Sequence, residues 1–323
     1  MSMGKVVLIT TGGTIASKTN QDSGKLSSGA MTGEELASIC NLPNDINIEI
    51  DSVFQVPSMH ITFQHLAELK ESIEGHLKDP SVEGVVVTHG TDTLEETAYF
   101  LDLTIADSRP VVVTGSQRPP GRLGSDAFIN IRHAVYVACS KELHDAGTVV
   151  CFNERIFAAK YVKKEHASNI QGFNAFGFGY LGIIDNDVVE IFQKPIKRET
   201  YELTNQLPEI DIIKCYLNAD GKFIKAARES GVAGIVLEGV GRGQVPPVMM
   251  PEIEQAVADG INIVITTSSE EGAVYTTYDY KGSTFDLQNQ GAILGKDYDS
   301  KKARIKLAVA LASNHQNLEE MFY

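Results

Sequence analysis

The chain has 323 residues, which exceeds the size at which a single hydrophobic core usually stops growing, so we expect two domains. Its hydrophobic content of 43% and charged content of 22% are those of a soluble globular protein. The formal net charge of −14 disfavours nucleic acid and anionic membranes as partners, because both require a basic surface.

The first part of the chain alternates short valine-rich runs with stretches typical of helices. Several of these stretches open on Ser or Thr with an acidic residue soon after, as helix N-termini commonly do. The predicted strands are 6–10, 85–88, 111–114 and 148–152, and the predicted helices are 32–40, 62–77, 93–106 and 125–140. Strands separated by helices favour a parallel sheet covered on both faces. We therefore expect a larger N-terminal, doubly wound α/β domain over residues 1–190.

A polar segment follows, "IFQKPIKRETYELTNQLPE" at 191–209, with two prolines and no clear periodicity. This composition indicates an interdomain linker, placed at 191–212. The alternation then resumes, with strands predicted at 211–217, 233–238 and 261–266 and helices at 219–229, 250–259 and 301–313. A smaller C-terminal α/β domain of Rossmann or flavodoxin type is expected over residues 213–323.

The N-terminus and the cysteines bear on the compartment. The opening "MSMGKVV" has no basic region, apolar stretch or cleavage site of an export signal, which predicts a cytoplasmic protein. A periplasmic protein beginning at its mature end would have the same pattern, so that alternative stays open.

The four cysteines, Cys40, Cys139, Cys151 and Cys215, are widely spaced and form no Cys-x-x-Cys pair. We expect reduced, mostly buried thiols, with a disulfide as the alternative, and no metal site.

Candidate functional residues follow three of the predicted strands. The strand ends read "TTGGT" at 10–14, "THGTDT" at 88–93 and "TGSQRP" at 114–119. In open parallel sheets, ligands bind at the carboxyl ends of the strands. The sequence therefore predicts a ligand site lined by small residues, hydroxyls and one acidic residue.

Binding of a cofactor phosphate is not indicated at any glycine-rich turn. The turn at Gly12 and Gly13 lacks the later glycines of a dinucleotide loop and the Lys-Ser/Thr pair of a P-loop. The second candidate, "GVGRGQVPP" at 239–247, ends in Pro246 and Pro247, which do not fit the body of a phosphate-binding helix.

The hydroxyls of Thr14 and Thr91 are candidates for a nucleophile. A threonine hydroxyl needs a neighbour that takes its proton, and Asp92 supplies a fixed negative charge that can bind an ammonium or hold a lysine. Both threonines face one crevice if their strands are neighbours. Thr and Asp residues after a strand also form turns and helix N-caps, so spacing alone leaves both interpretations open.

Two motifs resemble a known family. "TTGGTIA" together with "THGTDTLEETAYFL" is similar to the paired signature of the bacterial-type L-asparaginases, amidohydrolases that release ammonia from asparagine and often from glutamine. "RPVVVTGSQRP" and "SDAFINIRHAV" also resemble family segments, and the similarity extends to "EGVGRGQVPP" in the second domain.

The resemblance implies roles for four residues. Thr14 matches the threonine that attacks the side-chain amide carbon. Thr91 and Asp92 match the second threonine and its neighbouring acid, and Lys164 in "YVKKEH" completes a Thr-Asp-Lys set. Main-chain N–H groups near Thr14 and Thr91 would form the oxyanion hole. Neither a metal nor a cofactor is implied.

The resemblance also implies a substrate pocket. Ser58 in "QVPSMH" would bind the α-carboxylate and Asp92 the α-ammonium of an amino-acid amide. Met59 stands where family members often have Gln or Glu, so one polar contact to the ammonium is missing. The predicted substrate-binding set is Gly13, Ser58, Met59, Gly90, Thr91, Asp92 and Ser116.

The loop after the first motif departs from the family. Many members carry there a tyrosine that is hydrogen-bonded to the nucleophile, but "SKTNQDSGKLSSGAMTGEE" contains none, and Leu26 stands at the matching position. A second-domain tyrosine, namely Tyr275, Tyr278 or Tyr280, is one replacement for the proton relay, and water activated by Lys164, Thr91 and Asp92 is another. Slow turnover, or preference for another amide, is the third explanation.

Family members are typically homotetramers built from intimate dimers, with each site between the N-terminal domain of one chain and the C-terminal domain of its partner. By this analogy Gln244 and Asp279 would reach a neighbour's site. The predicted function is hydrolysis of L-asparagine through Thr14, by an acyl-enzyme or by direct hydrolysis of the tetrahedral intermediate. The alternatives are a dual glutaminase-asparaginase, an amidotransferase subunit, and a non-catalytic amino-acid-binding relative.

Overall fold

A computed structural model describes residues 4–20, 23, 25–27, 29–40, 42, 46–315 and 317–322, except for the side chains of Thr19, Leu26 and Ile39. The chain divides into two compact units between Thr200 and Tyr201. This division falls within the segment 191–212, whose role as a linker between domains 1–190 and 213–323 stays a prediction.

The first unit contains the first twelve strands and four helices of the described residues. The strands are β1 Lys5–Gly12, β2 Lys18–Thr19, β3 Leu26–Ser27, β4 Asn47–Val56, β5 Val82–Thr88, β6 Val111–Thr114, β7 Thr148–Phe152, β8 Arg155–Ala158, β9 Lys163–Lys164, β10 Phe173–Asn174, β11 Gly182–Asp185 and β12 Val188–Ile191. The helices are α1 Gly33–Ile39, α2 Phe63–Leu77, α3 Leu94–Thr104 and α4 Ala127–Ala138. All four predicted helices are confirmed, with ends displaced by two residues at most.

The main sheet of the first unit is mixed, with the order β12-β11-β8-β7-β6-β5-β1-β4. Strands β4, β1, β5, β6 and β7 pair in parallel. Strands β8, β11 and β12 continue it antiparallel. The expected parallel sheet is thus confirmed for five strands. It does not extend to β8, β11 and β12, because tight turns rather than helices connect β7 to β8 and β11 to β12.

Helices cover both faces of the parallel strands. Leu36 of α1 and Ile131 of α4 share one buried core with Val6, Leu8 and Val86. Successive strand side chains point to opposite faces, so the buried residues between these face the other way, where α2 contacts β5 and α3 contacts β6 and β7. Such two-sided burial explains the valine-rich runs.

The second unit is a smaller parallel sheet with helices. Its strands β13 Ile210–Lys214, β14 Gly234–Gly239, β15 Asn262–Thr267 and β16 Ile293–Leu294 pair in that order. Its helices are α5 Lys222–Ser230, α6 Met250–Ala258, α7 Thr284–Asn289, α8 Ser300–Ala312 and α9 Leu318–Met321. Ile224 of α5 and Ile253 of α6 pack with Ile235 and Ile263 of the sheet. The predicted class, a larger α/β unit followed by a smaller one, is confirmed.

The four cysteines are reduced, as expected, and Cys40, Cys151 and Cys215 are buried. Burial raises the pKa of Cys40 and of Cys215 to about 12 and also raises the pKa of Cys151. In the described part of the chain, none of the helices has the length and apolar character needed to cross a bilayer.

Candidate active site

The three polar strand ends meet at one edge of the main sheet. Strand β5 lies between β1 and β6, with Thr88 opposite both Thr10 and Thr114. The Thr11 hydroxyl donates to the Thr88 carbonyl at 2.9 Å and joins the first two ends directly. The strands that precede Thr14 and Thr91 are thus neighbours, which is the condition under which both threonines face one crevice.

Gly13, Gly90 and Ser58 are packed against one another. A Cβ atom on Gly13 would lie 2.4 Å from the Gly90 nitrogen, and one on Gly90 would lie 2.8 Å from the Ser58 Oγ. Gly13 also has a φ of +82°, which L side chains rarely adopt. The glycines of the two motifs therefore allow the main chains at two strand ends to touch.

Thr14 begins a 3₁₀ turn, Thr14–Ala16, immediately after this contact. The turn is anchored by the buried Ile15 and Ala16, whereas Thr14 itself is half-buried. The Ser17 hydroxyl donates to the Gly13 carbonyl at 2.9 Å. The local structure therefore holds the Thr14 main chain in place beyond the strand end.

Lys164 joins Thr91 and Asp92. Its Nζ donates to Thr91 Oγ1 at 2.8 Å and to Asp92 Oδ1 at 2.7 Å. The Lys164 side chain is only 12% exposed, whereas the Asp92 side chain is 62% exposed. The ammonium is thus held inside the site, and the carboxylate remains accessible to a cationic group of a ligand.

The loop after β6 supports Thr91. The Thr91 hydroxyl, which accepts from Lys164, donates to Gln117 Oε1 at 3.3 Å. The main-chain N–H groups of Gln117 and Arg118 donate to the buried carboxylate of Asp126, each at 2.9 Å. Sequence reasoning included Gln117 in the strand-end segment 114–119 without assigning it a role, and it missed Asp126. The position of Gln117 at a strand end was a usable signal, but nothing local marks Asp126 as the partner of this loop.

Ser58, Met59 and Ser116 differ in their surroundings. Ser58 is buried, and its carbonyl accepts from the Thr93 hydroxyl at 2.9 Å, so the α3 N-terminus holds the Ser58 segment. Met59 is 68% exposed. Ser116 is fully buried, and its hydroxyl donates to the Arg118 carbonyl at 2.9 Å.

His89 is a buried structural residue of the turn before Thr91. Its Nδ1 donates to the Gly90 carbonyl at 2.7 Å, so its Nε2 accepts from the Thr97 hydroxyl at 2.9 Å. Burial lowers the pKa of His89 to about 4, which keeps the imidazole neutral near neutral pH.

The remaining predicted residues belong to the second unit or to the loop after Thr14. Gln244 Oε1 accepts from the Thr284 N–H at 3.0 Å, and Asp279 is exposed. Tyr275, Tyr278 and Tyr280 are about half exposed. The prediction about the missing tyrosine falls on the Leu26 side chain, which lies outside the described part of the structure.

The assembled groups suit a small zwitterionic ligand and attack on an electrophilic carbon. Asp92 offers an exposed carboxylate, Lys164 an ammonium bound to it, and Thr14 a half-buried hydroxyl that follows the Gly13 turn. No cluster of three or more His, Cys, Asp or Glu side chains suited to a metal ion occurs among the residues that the structure describes.

Comparisons with known proteins agree over the whole chain. Residues 5–197 match the family model "Asparaginase, N-terminal", and residues 209–322 match "Glutaminase/Asparaginase C-terminal domain". The chain is 66% identical to an L-asparaginase of Bacillus licheniformis over 98% of both sequences. It is 34% identical to L-asparaginase 2 of Bacillus subtilis, covering 95% of this chain and 82% of that one.

A solved structure is also similar. The crystal structure of a probable cytoplasmic L-asparaginase from Campylobacter jejuni has a TM-score of 0.89 and 29% identity over 99% of each chain. The two paired family models, the relative at 66% identity and the shared two-unit fold agree with the motifs found at the strand ends. The chain belongs to the bacterial-type L-asparaginase family.

Proposed function

We propose that this protein hydrolyses L-asparagine to L-aspartate and ammonia, and is therefore an amidohydrolase. The observation that carries the proposal is the contact of Lys164 Nζ with both Thr91 Oγ1 and Asp92 Oδ1, beside the Gly13–Thr14 turn. The 66% identity to an L-asparaginase over nearly the whole chain supports asparagine as the substrate and disfavours a non-catalytic role.

In this proposal the substrate is held by its charged ends. The exposed carboxylate of Asp92 binds the α-ammonium through the oxygen that does not face Lys164. The Ser58 hydroxyl and nearby main-chain N–H groups bind the α-carboxylate, next to Gly13 and Gly90. Met59 provides only apolar contact. These contacts place the side-chain amide above the Thr14 turn.

The chemistry then proceeds by nucleophilic attack. The Thr14 oxygen bonds to the amide carbon, and main-chain N–H groups near Thr14 and Thr91 stabilise the resulting oxyanion. The hydroxyl proton passes to the amide nitrogen through water held by Lys164, Thr91 and Asp92 or through a second-domain tyrosine, the C–N bond breaks and ammonia leaves. Water activated by Thr91 and Lys164 then cleaves the aspartyl ester and restores Thr14. The positive charge of Lys164 beside Thr91 favours loss of a proton from that water or from the Thr91 hydroxyl.

The compartment and assembly are part of the proposal. We place the protein in the cytoplasm, supported by the similarity to a probable cytoplasmic L-asparaginase. We also propose a homotetramer of two intimate dimers, in which Gln244 and Asp279 of one chain complete the site of its neighbour. The segment 191–212 then links the domain that carries Thr14 to the domain that serves the partner.

Ammonia release from L-asparagine, L-glutamine and D-asparagine tests the function. We expect the highest kcat/KM with L-asparagine. The Thr14→Ala variant is the control for ammonia that arises without the enzyme. Absence of ammonia above this control from all three amides would contradict the proposal.

A further inference from the structure

A second acidic residue contacts Lys164, on its main chain. Glu95 lies in the first turn of α3 and is only 1% exposed. Its Oε2 accepts a hydrogen bond from the Lys164 main-chain N–H at 2.9 Å. Glu95 and Asp92 therefore hold opposite ends of the same lysine.

The strand that carries Lys164 is short. β9 consists of two residues and pairs with β10, where Lys164 lies opposite Phe173. The next N–H group, that of Glu165, donates to the Gly172 carbonyl on the β10 side at 2.9 Å. Successive N–H groups of an extended strand point in opposite directions, so the Lys164 N–H points away from β10. The Glu95 carboxylate accepts the hydrogen bond that a main-chain carbonyl of a neighbouring strand would otherwise accept from this N–H.

The first turn of α3 thereby connects the segments of the site. It follows Thr91 and Asp92 directly, and the Thr93 hydroxyl binds the Ser58 carbonyl at 2.9 Å. Glu95 binds the Lys164 main chain from the same turn. A carboxylate is favourable at this position, because the N-terminus of a helix carries a partial positive charge.

We propose that Glu95 is a positioning residue that fixes the Lys164 main chain so that Nζ reaches both Thr91 Oγ1 and Asp92 Oδ1. This inference rests on the proposed function and deepens it, since it assigns a role at the same site to a residue that does not touch the reacting atoms. The lysine stem is four carbons long and flexible, so Nζ contacts two partners at once only when the main chain lies at a suitable distance from both. A displacement of about 1 Å can lower a catalytic rate about 100-fold.

Two replacement side chains as long as that of glutamate separate the effect of losing the hydrogen-bond acceptor from the effect of losing the negative charge. Glu95→Gln keeps an oxygen that accepts the Lys164 N–H, and Glu95→Met fills the same volume without an acceptor of similar strength. Both remove the negative charge. We expect kcat on L-asparagine to fall about 100-fold in Glu95→Met and less than about 5-fold in Glu95→Gln, with KM changed little in both.

Two further readouts distinguish positioning from general damage to the fold. In the double variant Glu95→Met/Lys164→Met, kcat should equal that of Lys164→Met alone, because Glu95 acts through Lys164. Crystal structures should show Nζ more than about 3.5 Å from Thr91 Oγ1, beyond hydrogen-bonding distance, in Glu95→Met and bonded to it in Glu95→Gln.

Equal losses in the Gln and Met variants, additive losses in the double variant, or an undisplaced Nζ would overturn the inference. Failure of the proposed function is recognised separately, because the wild-type protein would then release no ammonia from L-asparagine. The Nζ position in the crystal structures tests the role of Glu95 even in that case.

Discussion

At the scale of single residues, His89 shows how a buried group supports the turn that carries Thr91. Its ring bonds the Gly90 carbonyl on one side and Thr97 of α3 on the other. Burial lowers its pKa from 6.5 to about 4, so the folded state keeps it neutral at pH values where the unfolded chain binds a proton. The contribution of His89 to stability is therefore complete above pH 6.5 and decreases as the pH falls towards 4.

Replacement of His89 should make stability less dependent on pH. Between pH 7 and pH 4 we expect the wild-type free energy of unfolding to lose about 3 kcal/mol more than that of His89→Gln. Urea unfolding at a series of pH values measures the difference. The exposed His60→Gln variant serves as the control and should follow the wild-type curve. If the free energy of unfolding changed with pH in the same way for His89→Gln and the wild type, the buried imidazole would not account for this acid sensitivity.

Individual site residues were predictable from the sequence to different degrees. Thr14, Thr91 and Asp92 follow strands whose apolar patterns are clear, so their location at the carboxyl ends of the strands was predictable. The pairing of β1 with β5, which brings them together, was not. Lys164 lies 73 residues after Thr91, in a polar stretch typical of the surface, and only the family resemblance pointed to it. Glu95 accepts from a main-chain N–H group 69 residues further along the chain, and Asp126 accepts from two that lie nine and eight residues before it. No pattern in the sequence identifies these partners.

At the scale of structural elements, the ends of β1 and β5 require glycine where they touch. We expect Gly13→Ala to abolish ammonia release and to lower stability, because its Cβ would lie 2.4 Å from the Gly90 nitrogen at a φ of +82°. Gly75→Ala in α2 is the matched control, since a Cβ there meets no atom of the described residues within 4 Å.

The control substitution at Gly75 should raise the free energy of unfolding by about 0.5–1 kcal/mol, because alanine is the better helix former. Its kcat should be that of the wild type. Thermal unfolding measures the stability of both variants, and the ammonia assay measures their kcat. Wild-type activity in Gly13→Ala would show that close contact of the two turns is not needed for the reaction.

The segment of β2 and β3 carries the departure from the family at Leu26. We expect Leu26→Tyr to leave kcat on L-asparagine unchanged, because the proposed relay uses water with Lys164 and Thr91, or a second-domain tyrosine. Leu26→Phe is the matched control for the added ring without the hydroxyl. A kcat that rises in the tyrosine variant alone would mean that the missing hydroxyl limits turnover.

Elements buried on both faces were the most predictable. The apolar runs of β1, β5, β6 and β7 and the helices between them were all found. β4 was not, because it forms an edge of the main sheet and its residues are half-buried or exposed. The antiparallel strands β8, β11 and β12 are each four residues long. Such strands are too short for an alternation of apolar and polar residues to indicate their pairing.

At the scale of the whole molecule, the proposed tetramer predicts a mass four times the 35.1 kDa of the chain. Light scattering after size exclusion measures it. Co-expression of Thr14→Ala chains with chains carrying Gln244→Ala and Asp279→Ala should restore activity that neither has alone, because mixed dimers contain intact sites. A monomeric enzyme with full activity would refute the shared site.

The most direct test of the account concerns the oxygen of Thr14. Ammonia release from L-asparagine is compared among the wild-type protein, Thr14→Ala and Thr14→Ser, with thermal unfolding as the check on folding. We predict that Thr14→Ala loses activity by at least about 1,000-fold and that Thr14→Ser, which keeps a hydroxyl, retains a measurable part of it. Wild-type rates in a folded Thr14→Ala variant would contradict the central claim.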